Sequence, residues 1–232
     1  MSSTPAHDSA NPDLLSIMPA TARRVIEVGC SSGALAREYK KRNPQSHYVG
    51  IEIEAEFRAL AARHCDRVEI VDIETVADAD FAPRFEADCW VFGDSLEHLR
   101  DPWRVLRNIR SGLPAQGCVA LCVPNAQHWS VQARLCAGLF RYEEAGLLDR
   151  THLRWFTRIT LLETVRACGF RVDEMHSRIF DEPNKDRCLP HLRSLARALG
   201  VDAEQAVQDA LPLQYVLRIV PEGPTAAATP TP

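Results

Sequence analysis

At 232 residues the chain is long enough for one substantial domain and short for two, and its composition, 46% hydrophobic and 25% charged, is that of an ordinary globular protein. A formal charge of -4 excludes a general electrostatic pull toward nucleic acid or anionic lipid, although arginine is plentiful between Arg100 and Arg158. No apolar run approaches the roughly 18 residues of a membrane span, and the first residues lack the apolar core of a secretory signal, so the expected location is the cytoplasm.

Residues 1–10 carry no pattern and are expected to be a disordered tail, followed by a single domain over 11–220. Asn11 and Asp13 are placed to cap a first helix or to fold over a ligand. Residues 23–29 (RRVIEVG) predict a buried strand, 33–42 (GALAREYKKR) a helix with a basic outer face, 47–53 (HYVGIEI) a second strand and 55–65 a second helix. Residues 67–72 (RVEIVD) and 88–93 predict the third and fourth strands. A helix over about 101–113 starts at Pro102, a position where proline is tolerated, with Trp103 and Leu106 on its packed face. Residues 117–123 (GCVALCV) predict a fifth strand. Strands alternating with helices at this spacing imply βαβ units and a parallel sheet.

Residues 124–157 then read as irregular, and rich in aromatics, histidine and arginine. A helix at 158–168 and a strand at 170–178 resume the alternation. Residues 181–212 read as a helical insertion with Leu192, Leu195 and Leu199 on an apolar face, and 214–220 (QYVLRIV) as the last strand. The Pro/Ala/Thr tail from 221 is expected to be disordered. The cysteines form no CxxC pair and no zinc spacing, so they read as small buried hydrophobes, with Cys118 and Cys122 on one face of a strand.

The run VIEVGCSSGAL, residues 25–35, admits two chemistries. Gly29-x-Ser31-x-Gly33 matches the spacing of a serine-hydrolase elbow. Such an elbow needs an oxyanion donor from an earlier strand–helix loop, and Ser31 lies in the first such loop of the chain. A nicotinamide fingerprint fits poorly, because Ser31 and Ala34 stand where glycines are wanted. What fits is an acidic residue, Glu27, two before a glycine loop formed by Gly29 and Gly33, and a second, Glu52, at the end of the next strand. A carboxylate at that sheet edge can accept two ribose hydroxyls, and Glu27 sits where a cationic amine would be welcome. A cofactor with a ribose, a cationic amino-acid end and no phosphate is S-adenosyl-L-methionine.

The segments VIEVGCSSGALA, YVGIEIE, VDIE, FGDSLEHLRDP and SGLPAQGCVALCVPN follow in the order and spacing of class I S-adenosylmethionine-dependent methyltransferases, which the chain resembles over about residues 10–178. SLEHLRDP and CVPN look like the ubiquinone-type O-methyltransferases. GLLDRTHLRWFT resembles bacterial methyltransferases found with cell-envelope polysaccharide genes. The resemblance implies a Rossmann-like, seven-stranded, mostly parallel sheet with an antiparallel last strand and helices on both faces. It implies that Gly29, Cys30 and Gly33 admit the methionine portion of the cofactor, and that Glu27 holds its amine. Glu52 and Ile53 would then meet the ribose and its surroundings, Asp72 and the Ile73 backbone the adenine edge, and Asp94 the sulfonium end. Asp72 equally suits the plain role of capping a turn.

Residues 124–157 are the expected acceptor pocket, with Tyr142, Asp149, Arg150, Arg154 and Trp155 as candidate acceptor contacts. His98 and His152 are the candidate bases for a hydroxyl acceptor. The resemblance to ubiquinone-type relatives implies that Glu97 with His98 could also hold a divalent metal; two side chains are too few to establish such a site, and no metal is assigned. The leading expectation is methyl transfer, to oxygen, on a small polar acceptor, sugar-linked or anionic, with a glycosyltransferase or another pathway enzyme as a partner. The alternatives are a nucleic-acid or protein methyltransferase, which the acidic balance disfavours, and a catalytically idle S-adenosylmethionine-binding domain. Nothing in the residues determines the oligomeric state.

Overall fold

A computed structural model describes residues 8–223. Seven strands form one sheet in the order β3-β2-β1-β4-β5-β7-β6. The strands are β1 (Arg24–Val28), β2 (His47–Glu52), β3 (Arg67–Ile70), β4 (Cys89–Gly93), β5 (Cys118–Pro124), β6 (Phe170–Arg178) and β7 (Gln214–Pro221). The first five are parallel. β7 inserts antiparallel between β5 and β6, as the resemblance implied. The helices are α1 (Pro12–Ile17), α2 (Ala34–Arg42), α3 (Arg58–Ala61), α4 (Asp78–Arg84), α5 (Pro102–Gly112), α6 (Trp129–Cys136), α7 (Arg158–Ala167), α8 (Lys185–Ala198) and α9 (Ala203–Asp209). None of them is long and apolar enough to cross a membrane.

The period-2 alternation of the central strands sorts side chains to two faces. Trp90 and Phe92 of β4, with Val119, Leu121 and Val123 of β5, enter one core layer. Cys89 and Val91, with Cys118, Ala120 and Cys122, enter the other, where the helices pack closely over smaller residues. Cys118 and Cys122 thus share a face, as expected. Trp103 and Leu106 of α5 pack on the first layer, and the Trp103 indole N–H donates to Thr164 Oγ1 at 3.1 Å.

Four local expectations change. The helix predicted over 55–65 is a 3-10 turn at Ala55–Phe57 followed by the single turn of α3, because the chain turns at Ala62 to reach β3 within a few residues. α4 and α6 occupy stretches that carry weak periodicity, the second inside the segment expected to be irregular. The 181–212 insertion is two helices. On α8 the buried residue is Ala196; Leu192 is half-buried, while Leu195 and the C-cap Leu199 are exposed, so most of the leucine stripe does not face the core. At the ends, Asp8 pairs with Arg37 at 2.8 Å and the Glu222 N–H donates to the Gly169 carbonyl at 2.9 Å. The rest of the two expected tails, 1–7 and 224–232, lies outside the described residues.

Gly50, in the middle of β2, leaves room that the first loop uses. A Cβ there would lie 2.5 Å from Cys30 Sγ and 3.2 Å from Cys65 Sγ. Gly50→Ala is expected to destabilise the fold by about 1–3 kcal/mol, through overpacking against a buried thiol. A lower urea midpoint at unchanged slope would show it.

Candidate cofactor and acceptor site

All the parallel strands deliver their C-terminal ends to one edge of the sheet. The chain order reverses between β1 and β4, the switch point where open α/β sheets bind ligands. β1 runs into a loop whose backbone is left-handed at Gly29 (φ 78°), Ser31 (φ 45°) and Gly33 (φ 78°). Such a loop turns its N–H groups toward the sheet edge. The Gly29 N–H donates to the Ile51 carbonyl at 2.8 Å, which ties the loop to β2. Ser95 Oγ donates to the Val28 carbonyl at 2.7 Å and ties it to the end of β4. A Cβ on Gly29 would meet Ser95 Cβ at 3.0 Å, and one on Gly33 the Ala61 backbone at 3.2 Å. Both positions therefore require glycine for shape as well as for φ.

Two buried carboxyls flank this loop. Glu52 is buried at the end of β2. Its Oε2 accepts the Ser31 N–H at 2.8 Å, and its Oε1 accepts the N–H groups of Ile53 at 2.8 Å and Glu54 at 3.1 Å. Oε1 is filled by these bonds, whereas Oε2 retains acceptor capacity toward the open edge. Glu27, also buried, accepts from the Tyr48 hydroxyl at 2.9 Å. Burial pushes its pKa up to about 8; the Tyr48 bond opposes that shift and the nearby Glu52 charge adds to it. A carboxyl held in this way lacks a cation. Ile53 is 61% exposed beside Glu52, an apolar side chain open to solvent at the site edge.

Asp72 follows β3, where it caps a turn, one of its two expected roles, and forms an ion pair. Its Oδ1 caps the 3-10 turn Ile73–Thr75 by accepting the Glu74 N–H at 2.9 Å, and its Oδ2 pairs with Arg100 at 2.8 Å. Ile73 is buried beneath it. Asp94 follows β4 with φ 56° and accepts from Cys122 Sγ at 3.5 Å and from Gln214. Asn11 caps α1, accepting from the Asp13 and Leu14 N–H groups, and its amide reaches Cys122 Sγ at 3.3 Å.

Within the segment expected to meet the acceptor, residues 139–157 form a strap. The Leu153 and Arg154 N–H groups both donate to the Glu97 carbonyl at 2.9 Å, which anchors the strap on the 3-10 turn Leu96–His98. This anchor brings the His98 and His152 rings to 4.9 Å, centroid to centroid, at 70°. His152 also meets Trp155 edge-on at 6.0 Å, and Phe140 lies 5.5 Å from Trp155. Burial lowers the His152 pKa, helped by neighbouring His98 and opposed by Asp149.

Several candidate acceptor contacts turn out to hold the strap itself. Asp149 is buried and accepts the Thr151 N–H at 2.7 Å and the Thr151 hydroxyl at 2.6 Å, so it braces the turn that leads into His152. Arg150 pairs with Glu144 at 2.8 Å. Arg154 donates to the Arg100 carbonyl and lies 5.3 Å over the Trp103 ring. Tyr142 is 69% exposed at the strap's outer edge. The direction each of these side chains faces follows from hydrogen bonds that sequence spacing does not encode. Glu97, passed over as a site residue, is fully buried at the centre of this group.

The fold and the cofactor-edge geometry define a class I, S-adenosylmethionine-dependent methyltransferase. The chain belongs to the methyltransferase domain family, whose model matches residues 9–175. No curated protein matches the sequence at a significant level. Among solved structures, the chain is similar to the O-methyltransferase of a trans-AT polyketide synthase multienzyme from Brevibacillus brevis in complex with S-adenosyl-L-homocysteine. That likeness has 14% identity and a TM-score of 0.57, over 91% of this chain and 71% of that one. A methyltransferase from Mesorhizobium loti matches at 16% identity and TM-score 0.59, over 90% of this chain and 96% of that one. A methyltransferase solved with the Trm112 activator from Haloferax volcanii matches at 16% identity and TM-score 0.59, over 91% and 88%.

Proposed function

We propose that the protein transfers the cofactor's methyl group to an oxygen of a small polar acceptor held beneath the strap. The observation that carries this reading is the convergence of two buried carboxyls and a left-handed loop on one side of the sheet edge, with a histidine pair on the other. Transfer from a sulfonium is an in-line displacement at an already activated carbon, and alignment supplies much of the acceleration. A hydroxyl acceptor also needs its proton removed, and the Glu97, His98 and His152 group stands ready to assist. Trp155 and Phe140 supply apolar ring faces that exclude water from the reacting centre and can stack on a sugar or aromatic ring.

In this reading Glu27 takes the cofactor's ammonium and Glu52 Oε2 takes one ribose hydroxyl, while Oε1 keeps the loop in shape. The acceptor's own chemistry is less constrained, because Arg150 and Arg154 of the strap are committed to protein partners while Arg141 is exposed. A neutral polyol or phenol leaves both of those pairs intact, and Arg141 is the strap's remaining cation for an anionic group.

The test is calorimetry with S-adenosylhomocysteine and its 2′-deoxy and 3′-deoxy analogues. The expected result is that one deoxy analogue binds the native protein at least tenfold more weakly. Glu52→Ala should weaken the parent ligand and abolish the discrimination between parent and analogue. Equal loss for all three ligands in the variant would mean that Glu52 only shapes the loop.

A further inference from the structure

Behind the cofactor loop two thiols meet. We propose that Cys30 and Cys65 form a reversible disulfide site, oxidised by a low-molecular-weight disulfide that enters between α2 and α3, and that the bond closes the loop to the cofactor. The last clause rests on the placement of S-adenosylmethionine at this loop; the disulfide does not.

Cys30 stands between Gly29 and Ser31, and Cys65 follows α3 at the turn into β3. Gly50 of β2 lies against both. A Cβ there would stand 2.5 Å from the Cys30 sulfur and 3.2 Å from the Cys65 sulfur, so the absent side chain is the space in which the two thiols meet. The Cys30 thiol donates a hydrogen bond to the Cys65 sulfur. Around the pair the loop is pressed on the turn after α3, where a Cβ on Gly33 would stand 3.3 Å from His64 Cβ. A disulfide sets its sulfurs about 2.05 Å apart, so the hydrogen-bonded pair has only to draw together along the line it already occupies.

The two thiols differ in access. Cys30 is buried, and its bond to Cys65, burial and the neighbouring carboxyls Glu27 and Glu52 raise its pKa, so it stays protonated. Cys65 instead lines a cleft of about 460 Å³, with Arg37, Lys40 and Lys41 of α2 on one side and Arg63 on the other. That is the volume of a small-molecule site. Arg37 pairs with Asp8 and Glu38, Lys40 with Asp66 and Lys41 with Glu38. Arg63 has no ion pair among the described residues and is the cation offered to a carboxylate of the entering disulfide.

The exchange balances in two steps. Cys65 loses its proton to solvent and attacks one sulfur of the small disulfide; the S–S bond breaks and the first small thiolate leaves. Cys30 then loses its proton and attacks Cys65 Sγ, and the second small thiolate leaves. The two thiolates take up two protons. The cysteine pair is oxidised by two electrons and the small disulfide is reduced by two.

The bond draws Cys30 toward the turn after α3. Its two neighbours hold the loop, Gly29 through an N–H on the Ile51 carbonyl at 2.8 Å and Ser31 through an N–H on Glu52 Oε2 at 2.8 Å. Displacing the residue between them disturbs the glycine turn and the carboxylate together. By linkage, a ligand that needs the open loop opposes the disulfide to the same degree.

The experiment is incubation of the full chain with oxidised glutathione, followed by peptide mass mapping without reductant and by calorimetry with S-adenosylhomocysteine. The expected result is a linked Cys30–Cys65 peptide, with ligand affinity down at least tenfold and restored by dithiothreitol. At a fixed ratio of oxidised to reduced glutathione, saturating ligand should lower the yield of that peptide. Cys65→Ser should bind the ligand within about twofold of the native protein and keep that affinity in the oxidant. Cys136 is exposed and takes glutathione in both proteins, so an equal loss of affinity in the variant overturns the proposal. Linkage of Cys89 to Cys118 in place of Cys30 to Cys65, mixed disulfides alone, or a linked peptide with unchanged affinity also overturns it. If Cys65→Ser does not fold, mapping and calorimetry of the native protein decide. A reduced protein that binds no ligand and still forms the linked peptide would keep the disulfide and remove the cofactor from this loop.

Discussion

Glu27→Gln is expected to weaken S-adenosylhomocysteine binding at least tenfold and to flatten its pH dependence, while making the ligand-free protein more stable above pH 8. The two effects have one cause. In the free protein the buried Glu27 carboxyl titrates near 8, so at neutral pH it is largely protonated. Docking an ammonium against it favours the carboxylate, and binding below pH 8 therefore releases a proton. Affinity should fall about tenfold for each unit below 8, until the pKa of the bound state is reached, and should be level above 8. The stability effect runs the other way. A carboxyl whose folded pKa is raised contributes stability that is fully present below its unfolded pKa and is lost as pH rises through the folded value. Glutamine carries no such penalty and can still accept from the Tyr48 hydroxyl. Calorimetry at pH 6–9 in buffers of different ionisation enthalpy, paired with urea unfolding, measures both. A native protein that binds the ligand with level affinity and no proton release would take Glu27 away from the amine. A gain in stability coupled to a loss of binding is what a site preorganised for an absent cation should show.

Gly29→Val should abolish cofactor binding, whereas Ser31→Ala should retain it within about threefold. Gly29 needs a left-handed φ of 78°, which a β-branched residue adopts only with strain. Its added side chain would also strike Ser95, which ties the loop to the end of β4. Ser31 serves through its backbone N–H on Glu52, and alanine keeps that donor. The pair of variants separates the two chemistries that the opening loop admits. Stoichiometric labelling of Ser31 by a fluorophosphonate would instead bring back the hydrolase reading.

The class of fold was legible because parallel strands buried on both faces are written as short apolar runs, and the turns between them as glycine, proline and acidic residues. The position of Glu27, Gly29 and Glu52 at the sheet edge was legible for a related reason: each stands within two residues of a strand end, so strand register alone carries it there. The acceptor side obeys no such rule. His98 and His152 are neighbours only because the Glu97 carbonyl takes two strap N–H groups, a contact between distant segments that local periodicity does not record. The same contact turns Asp149, Arg150 and Arg154 from candidate substrate contacts into supports of the strap. It also closes Glu97 into a pocket with two imidazoles. In the sequence Glu97 is one acidic residue among 31. In the fold it is fully buried, without a hydrogen-bond partner, and faces His152 Nε2 at 3.8 Å. The leucines of α8 make the opposite point. Their helical spacing promised a core face, yet the sheet already had its covering layers, and packing left Leu195 and Leu199 in solvent. Periodicity determines which residues share a side of an element; only the tertiary arrangement decides what lies opposite that side, because burial depends on neighbours that the local sequence does not contain.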